Sequence, residues 1–242
     1  MTTLAKIIIT TLFTLLICSC NVNISTKSVQ GNGNVTTEIR PLDNSFTAIK
    51  VSKGIEVYIT QNNDTPSITV EADENLHEII ITTVENNVLR IYAEDNISSS
   101  QSKKVMLNFN DLSKITTTSG SYLSTTNNIL VTDLELKSTS GSKMTIDVTA
   151  QTIGCKSTSG SYLQLLGTTT HLNAQVTSGS QLAAQDLKSE ITQIKSTSGS
   201  SANVNVTSKI TAKATSGASI TYQGNPEHVE VSNNVSGSIK SI

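Results

Sequence analysis

Apolar and polar residues alternate along most of the chain, and a recurring glycine divides the alternation into units of about twenty residues. The alternation is clear around Gly141, where Leu134 and Leu136 precede the glycine and Met144 and Ile146 follow it. Because successive side chains of a strand point to opposite faces, we expect two short strands per unit, sending the same parity inward. The glycines that mark the units are Gly120, Gly141, Gly160, Gly179, Gly199, Gly217 and Gly237.

This pattern predicts an all-β fold. No segment of helix length separates the units, so they cannot form strand–helix–strand crossovers, and one unit cannot bury its apolar face alone. We therefore expect a right-handed parallel β-helix, a solenoid of about 20-residue coils with Ser-Gly-Ser corners, as a single domain over residues 35–242. Residues 35–111 are expected to form the N-terminal coils and 112–242 the repeat coils. This gives roughly ten coils and a rod of about 50 Å at the usual strand spacing.

The segment Lys156–Ser161 illustrates the expected corner. If the alternation continues through the corner, Ser157 and Ser159 point inward, where their hydroxyls can hydrogen-bond along the stack. Gly160 makes the corner, either by adopting a positive φ or by letting backbones approach closely. The lysine and threonine of the segment then face outward.

Two further features concern the predicted core. In the last unit Val229, Val231 and Val235 fall out of step with Gly237, which predicts a terminal cap that protects the end of the solenoid. Cys155 falls on an inward position, which favours a small buried hydrophobe over a reactive thiol.

The beginning of the chain has the pattern of an export signal. An apolar run ends at Ile17 and leads into Ile17-Cys18-Ser19-Cys20, which resembles a bacterial lipobox. We predict a lipoprotein signal peptide at residues 1–19, acylation by palmitate or a similar lipid at Cys20, and a flexible tether over residues 20–34. The protein is then expected to be exported and membrane-anchored by its N-terminal lipid, at the outer membrane or cell surface. An ordinary cleaved signal peptide is the alternative.

Two outward files of side chains are predicted beside the corners. The threonine file, two positions before each glycine, contains Thr118, Thr139, Thr158, Thr177, Thr197 and Thr215. The lysine file, four positions before, contains Lys137, Lys156, Lys195 and Lys213, with Thr116 and Gln175 at the remaining positions. Like charges on neighbouring strands destabilise a sheet, so stability alone does not favour a file of lysines. The ten residues are a candidate binding face for a glycan or another surface protein. The alternative is a solvated face whose lysines keep the sheet from associating.

The sequence offers little for catalysis or cofactor binding. His77, His171 and His228 occupy unrelated positions without an HExxH motif, so we predict no metal site and no cofactor. The corner serines lack a GxSxG motif. A net charge of -2 and a pI near 5.9 do not suggest a nucleic-acid partner. We therefore expect a non-enzymatic protein. A carbohydrate-active β-helix enzyme is a further alternative, and it would require clustered carboxylates.

Several short runs, followed by the serial Ser-Gly-Ser corners, resemble a known family. They are GNGNV (31–35), RP (40–41), FTAI (46–49), GIEVYI (54–59) and VLRI (88–91). Together they resemble the putative auto-transporter adhesin, head GIN domain family, over about residues 30–240. The resemblance implies a β-helix-like fold, export as a lipoprotein or surface protein, and a role in adhesion, with no catalytic or ligand-binding residues to carry over. A structural or self-associating envelope protein is the alternative function.

Overall fold

The computed structural model describes residues 28–42, 45–62, 64–233 and 236–242. Within these ranges the chain consists of β-strands, turns and one short 3-10 helix, Glu74–Leu76. The strands before the repeats are β1 Ser28–Gln30, β2 Val35–Arg40, β3 Ala48–Val51, β4 Glu56–Gln61, β5 Ser67–Asp73, β6 Ile80–Glu85, β7 Val88–Ala93, β8 Asn96–Ser99 and β9 Lys103–Phe109. The strands of the repeats are β10 Lys114–Thr117, β11 Tyr122–Thr125, β12 Ile129–Ser138, β13 Lys143–Ser157, β14 Tyr162–Thr177, β15 Gln181–Thr197, β16 Ser201–Thr215, β17 Ser219–Gln223, β18 His228–Asn233 and β19 Ser238–Ser241.

From β10 to β19 each strand pairs in parallel with its equivalent in the next coil. The protein is an all-β solenoid of about 7 turns with coils about 19 residues apart, so the predicted fold class is confirmed. We call the strands before the corners the approach face and those after the corners the exit face. Predicted inward apolar residues are buried on both faces, as Leu136 and Met144 show at 1% and 0% exposure.

The number of coils is smaller than the ten expected, because residues 35–111 do not stack in chain order. Strand β3 lies between β7 and β10, and β4 lies between β9 and β11, so the later coil containing β7 and β9 sits outside the earlier one. Three pairs at this end are antiparallel, namely β2 with β5, β5 with β9 and β6 with β7. Asn86 and Asn87, with φ of 50° and 60°, make the tight turn between β6 and β7. Residues 35–111 therefore contain coils, as expected, but these are stacked out of chain order and joined to antiparallel strands, and this region caps the solenoid.

Residues 28–34 belong to this cap, although the sequence placed them in the flexible tether. Strand β1 pairs in parallel with β8. The Gly33 N–H donates to the Asp73 carboxylate at 2.9 Å. A side chain at Gly31 would collide with the same carboxylate, so close approach requires glycine there. The predicted signal peptide and the Cys20 acylation site lie outside the described residues. Among the described residues, no helix has the length and apolar character needed to cross a membrane.

The corners at Gly120, Gly141, Gly160, Gly179, Gly199 and Gly217 each contain two successive residues with positive φ, as Ser159 at 57° and Gly160 at 69° show. These two residues interrupt the alternation, so Ser159 is exposed and Ser161 is buried, contrary to the prediction that Ser159 points inward. The Ser161 hydroxyl donates to the Ser138 carbonyl at 2.8 Å and accepts from the Thr158 N–H at 3.0 Å. A Cβ at Gly160 would meet no atom within 4 Å. Of the two expected reasons for the corner glycine, the positive φ is therefore the operative one.

The last coil continues the core instead of capping it. Val229 and Val231 lie in register with the buried Ile210 and Ala212, so they keep the inward parity but remain 45% and 51% exposed. They appear out of step with Gly237 in the sequence because Asn233, the register partner of Ala214, lies four residues before Gly237, whereas Ala214 lies three residues before Gly217. Val235 lies outside the described residues. The predicted terminal cap was therefore wrong.

Candidate binding face

The approach face carries the lysine file on its outer surface. The register places Thr116 beside Lys137, Lys137 beside Lys156, and Lys195 beside Lys213, with Gln175 between the two lysine pairs. All four lysines are exposed. The parallel register extends the file to Lys50, which lies beside Thr116, and to Arg90, which lies beside Lys50. This extension was not predicted from the sequence, because Arg90 and Lys50 become neighbours only through the unexpected stacking order of the cap.

The four lysines of the file have no acidic partner, whereas three lysines elsewhere in the described residues pair with glutamates. Lys114 pairs with Glu135 at 2.8 Å, Lys209 with Glu230 at 2.8 Å, and Lys104 with Glu71 at 3.3 Å. Across the described part of the chain, none of the following has a carboxylate within 4.0 Å: Lys137, Lys156, Lys195 and Lys213. Four positive charges along one line are therefore uncompensated, and the surface favours an anionic ligand.

The hydroxyl groups of the threonine file contact other residues at the corners. All six threonines are half-buried. The Thr139 hydroxyl lies 3.4 Å from the Ser140 hydroxyl, the same contact recurs at three other corners, and Thr215 donates to the Thr197 hydroxyl at 3.0 Å. Because these hydroxyls already have protein partners, they are less available to a ligand than the lysine ammonium groups.

A third outward file, six positions before the corner glycines, completes the face. It contains Glu135, Gly154, Asn173, Gln193 and Thr211, each in register with the next. Between this file and the lysine file lies an open groove of about 580 Å³. Its walls are formed by Lys156, Lys195 and Lys213 on one side and Asn173, Gln193 and Thr211 on the other. Sequence reasoning missed the groove, although a glycine inside strand β13 was a usable signal.

The exit face carries a smaller cluster at its outer surface. The Lys143 ammonium lies 5.8 Å from the ring centroid of Tyr122 and 5.5 Å from that of Tyr162, and Tyr58 packs edge-on against Tyr122 with centroids 5.9 Å apart. Since a lysine occupies one face of both rings, these tyrosines are poorly arranged to stack against a sugar.

His171, His228 and Cys155 occupy separate places in the fold. His171 and His228 are exposed on different coils. Cys155 is buried in the core as predicted, and burial raises the pKa of its thiol to about 12, so it is protonated and unreactive at neutral pH. In the described residues, no group of three or more histidine, cysteine or acidic side chains is arranged to hold a metal ion.

His77 takes part in a cluster that the sequence did not reveal, because its members are about forty residues apart. Its ring nitrogens lie 3.0 Å from the Thr36 hydroxyl and 3.1 Å from the Glu38 carboxylate. Arg40 binds the same carboxylate at 3.1 Å and donates to the backbone carbonyls of His77 and Ile80. The order hydroxyl, imidazole and carboxylate resembles a hydrolase triad. However, the carboxylate is shared with Arg40, and the Thr36 carbonyl also lies 3.3 Å from the imidazole nitrogen. The cluster therefore fastens β2 to the 3-10 helix segment.

These features define a class of protein: a β-solenoid whose outer approach face carries a file of lysines beside an open groove. The chain belongs to the putative auto-transporter adhesin, head GIN domain family, whose model matches residues 45–226, and the predicted resemblance is confirmed. The family description is that of a surface or exported adhesin.

Solved structures share the fold. A putative adhesin from Bacteroides fragilis has a TM-score of 0.82 at 20% identity, over 88% of this chain and 100% of that one. A putative lipid binding protein from Parabacteroides distasonis has a TM-score of 0.72 at 19% identity, over 89% and 100%. A putative adhesin from the same species has a TM-score of 0.72 at 18% identity, over 89% and 100%. No curated protein matches the chain.

Proposed function

We propose that this protein is a non-enzymatic adhesin of the cell envelope that binds an anionic partner through the lysine file. The observation that carries the proposal is that four lysines without acidic partners lie along one line. The lysines at positions 104, 114 and 209 pair with glutamates, whereas the four of the file have no acidic partner among the described residues. A line of uncompensated charge costs stability, and an anionic ligand would offset that cost.

The test is binding of acidic polysaccharides to a variant with glutamine at Lys137, Lys156, Lys195 and Lys213. We expect affinity to fall about tenfold or more, and the wild-type affinity to weaken as salt rises. The matched control replaces four lysines off the file, Lys103, Lys188, Lys209 and Lys240, with glutamine, which changes the net charge equally. Equal losses in the two variants would show that only net charge matters and would contradict the proposal.

We further propose that the protein is exported and anchored through lipid at Cys20. The support is the apolar run that ends in the lipobox-like Ile17-Cys18-Ser19-Cys20. Metabolic labelling with a palmitate analogue should mark the wild type and not a Cys20→Ala variant. Persistent labelling in the variant would refute the assignment.

A structural or self-associating role is the second candidate, and one observation favours it. Val229 and Val231 occupy core positions at the open end of the solenoid and are half exposed. Strand β18 pairs in parallel with β16, and among the described residues no register joins it to a strand of a further coil, which leaves an edge that can pair with another chain. If this role dominates, wild type should associate in sedimentation experiments, and a Val229→Lys, Val231→Lys variant should be monomeric while still binding polyanions.

A further inference from the structure

The groove beside the lysine file is lined by a glycine that the fold does not require. Gly154 lies inside strand β13, and its register with Glu135 and Asn173 continues without a bulge. It is not among the residues with positive φ, and a Cβ there would meet no atom within 4 Å. A glycine within a strand usually marks a bulge, a bend, or close approach by another backbone or a ligand. Gly154 lies within a continuous strand whose register has no bulge, and no protein atom lies within 4 Å of a Cβ placed there, so we take approach by a ligand from outside as the reason for the glycine.

The two walls of the groove offer different chemistry. The lysine wall carries uncompensated positive charge. On the other wall, no hydrogen bond from the Asn173 or Gln193 amide to any described residue occurs, so both amides can donate and accept. Ammonium groups opposite free amides suit a ligand that carries both acidic groups and hydroxyls. An acidic sugar has both.

The length of the groove favours an oligosaccharide over a single small anion as its ligand. It extends from the coil of Glu135 to the coil of Lys213. These five coils span four strand spacings, or about 19 Å. An extended peptide fits less well, because peptides gain affinity by adding to a free strand edge. Each strand segment lining the groove is already paired on both sides.

We propose that the groove binds an extended acidic oligosaccharide along the solenoid axis. Its acidic groups lie against Lys156, Lys195 and Lys213, its hydroxyls meet Asn173 and Gln193, and one sugar ring occupies the space over Gly154. This inference rests on the proposed function, since it names the ligand class for the same face, but it depends on shape as well as charge.

The decisive variant is Gly154→Gln, which fills the groove without changing its charge. Because nothing opposes a Cβ there and the backbone is ordinary strand, the variant should fold, which circular dichroism and thermal melting can verify. Hexasaccharides of polygalacturonate, alginate and hyaluronan are the acidic glycan probes, and polyphosphate is the probe without sugar. We expect Gly154→Gln to weaken binding of at least one hexasaccharide about tenfold and to leave polyphosphate binding unchanged. Gly154→Ala, which adds only a methyl group, is the matched control and should lose less.

The outcomes separate the two proposals. Replacing Lys156, Lys195 and Lys213 with glutamine should weaken both kinds of probe. If Gly154→Gln binds the hexasaccharides as well as wild type does, or if it weakens the hexasaccharides and polyphosphate equally, the groove is not a sugar site. If polyphosphate alone binds, the oligosaccharide inference is overturned while the lysine file keeps its role. If the lysine variants bind every probe like wild type, the proposed function itself fails.

Discussion

The buried carboxylate of Asp73 holds the N-terminal cap together, and replacing it with asparagine tests that role. Asp73 is fully buried, and its oxygens accept N–H groups from Gly33 at 2.9 Å, Ser102 at 2.9 Å and Gln101 at 3.0 Å. Burial acts to raise the pKa of this carboxyl, but the backbone hydrogen bonds outweigh it and the pKa is lowered. The charged form is therefore the one that the folded cap prefers.

The loss of stability expected for Asp73→Asn follows from the hydrogen bonds that the asparagine cannot make. Both carboxylate oxygens accept N–H groups, so an asparagine can keep the bonds to one oxygen and must turn its NH₂ toward donors at the other. Losing one or two charge-assisted bonds in a buried site costs about 2–4 kcal/mol. For a chain of this size that corresponds to a fall in Tm of roughly 4–16 °C if unfolding is cooperative. Local loss of the cap would appear as faster amide exchange at residues 31–34 and 101–102.

The pH dependence of the difference in Tm between wild type and Asp73→Asn can refute this account. A carboxyl whose folded pKa is lowered contributes stability that is present above its unfolded pKa, near 3.8, and is lost as pH falls through the folded value. The difference in Tm between wild type and Asp73→Asn should therefore be constant near neutral pH and shrink below about pH 4. Comparing the two proteins cancels other acids that titrate nearby, such as Glu71. A variant that melts like wild type at pH 7, or a difference that persists unchanged at low pH, would contradict the account.

The remaining predictions concern the corners, the core and the lysine file. Ser161→Ala removes a buried hydroxyl that bonds two backbone groups and should lower the free energy of unfolding by about 1–3 kcal/mol in urea titrations, whereas Ser159→Ala at the exposed position should cost less than about 0.5 kcal/mol. Gly160→Ala should cost about 1–2 kcal/mol by the same measurement, because its φ of 69° is strained for alanine although there is space for the methyl group. Cys155 should resist thiol reagents until the protein unfolds, so modification at neutral pH without denaturant would contradict its burial. Replacing all four file lysines with glutamine should raise the Tm slightly at low salt and not at 1 M salt, and a fall in Tm would show that the lysines stabilise the face.

The repeat region could be predicted from the sequence because its core follows a period of two. Residues such as Leu136, Met144 and Leu163 have the inward positions that alternation requires. The corner could not be predicted by the same rule, since two residues with positive φ turn Ser159 outward although alternation places it inward. The signal was present, because a Ser-Gly pair can occupy such a two-residue turn, but alternation alone does not encode it.

The cap was harder to predict, because it depends on pairing between distant segments. The alternation in β3, β5, β7 and β9 shows that each is a half-buried strand, but it does not show which strand lies beside which. The stacking order depends on the turn at Asn86 and Asn87 and on how residues 100–102 meet Asp73. Contacts of this kind are tertiary and leave no periodic signal in the sequence.

The outer surface of the approach face is where the sequence departs most from what the fold needs. The position beside the lysine file can hold an acid, as Glu135 and Glu230 show at the two ends of the same file, where each pairs with a lysine. Between them the file contains Gly154, Asn173, Gln193 and Thr211, which leave the lysines uncompensated and the groove open. Glutamates at these positions would have neutralised the charge with no change to the buried core. A stable solenoid therefore does not account for this arrangement, whereas the proposed anionic ligand would supply the missing negative charge.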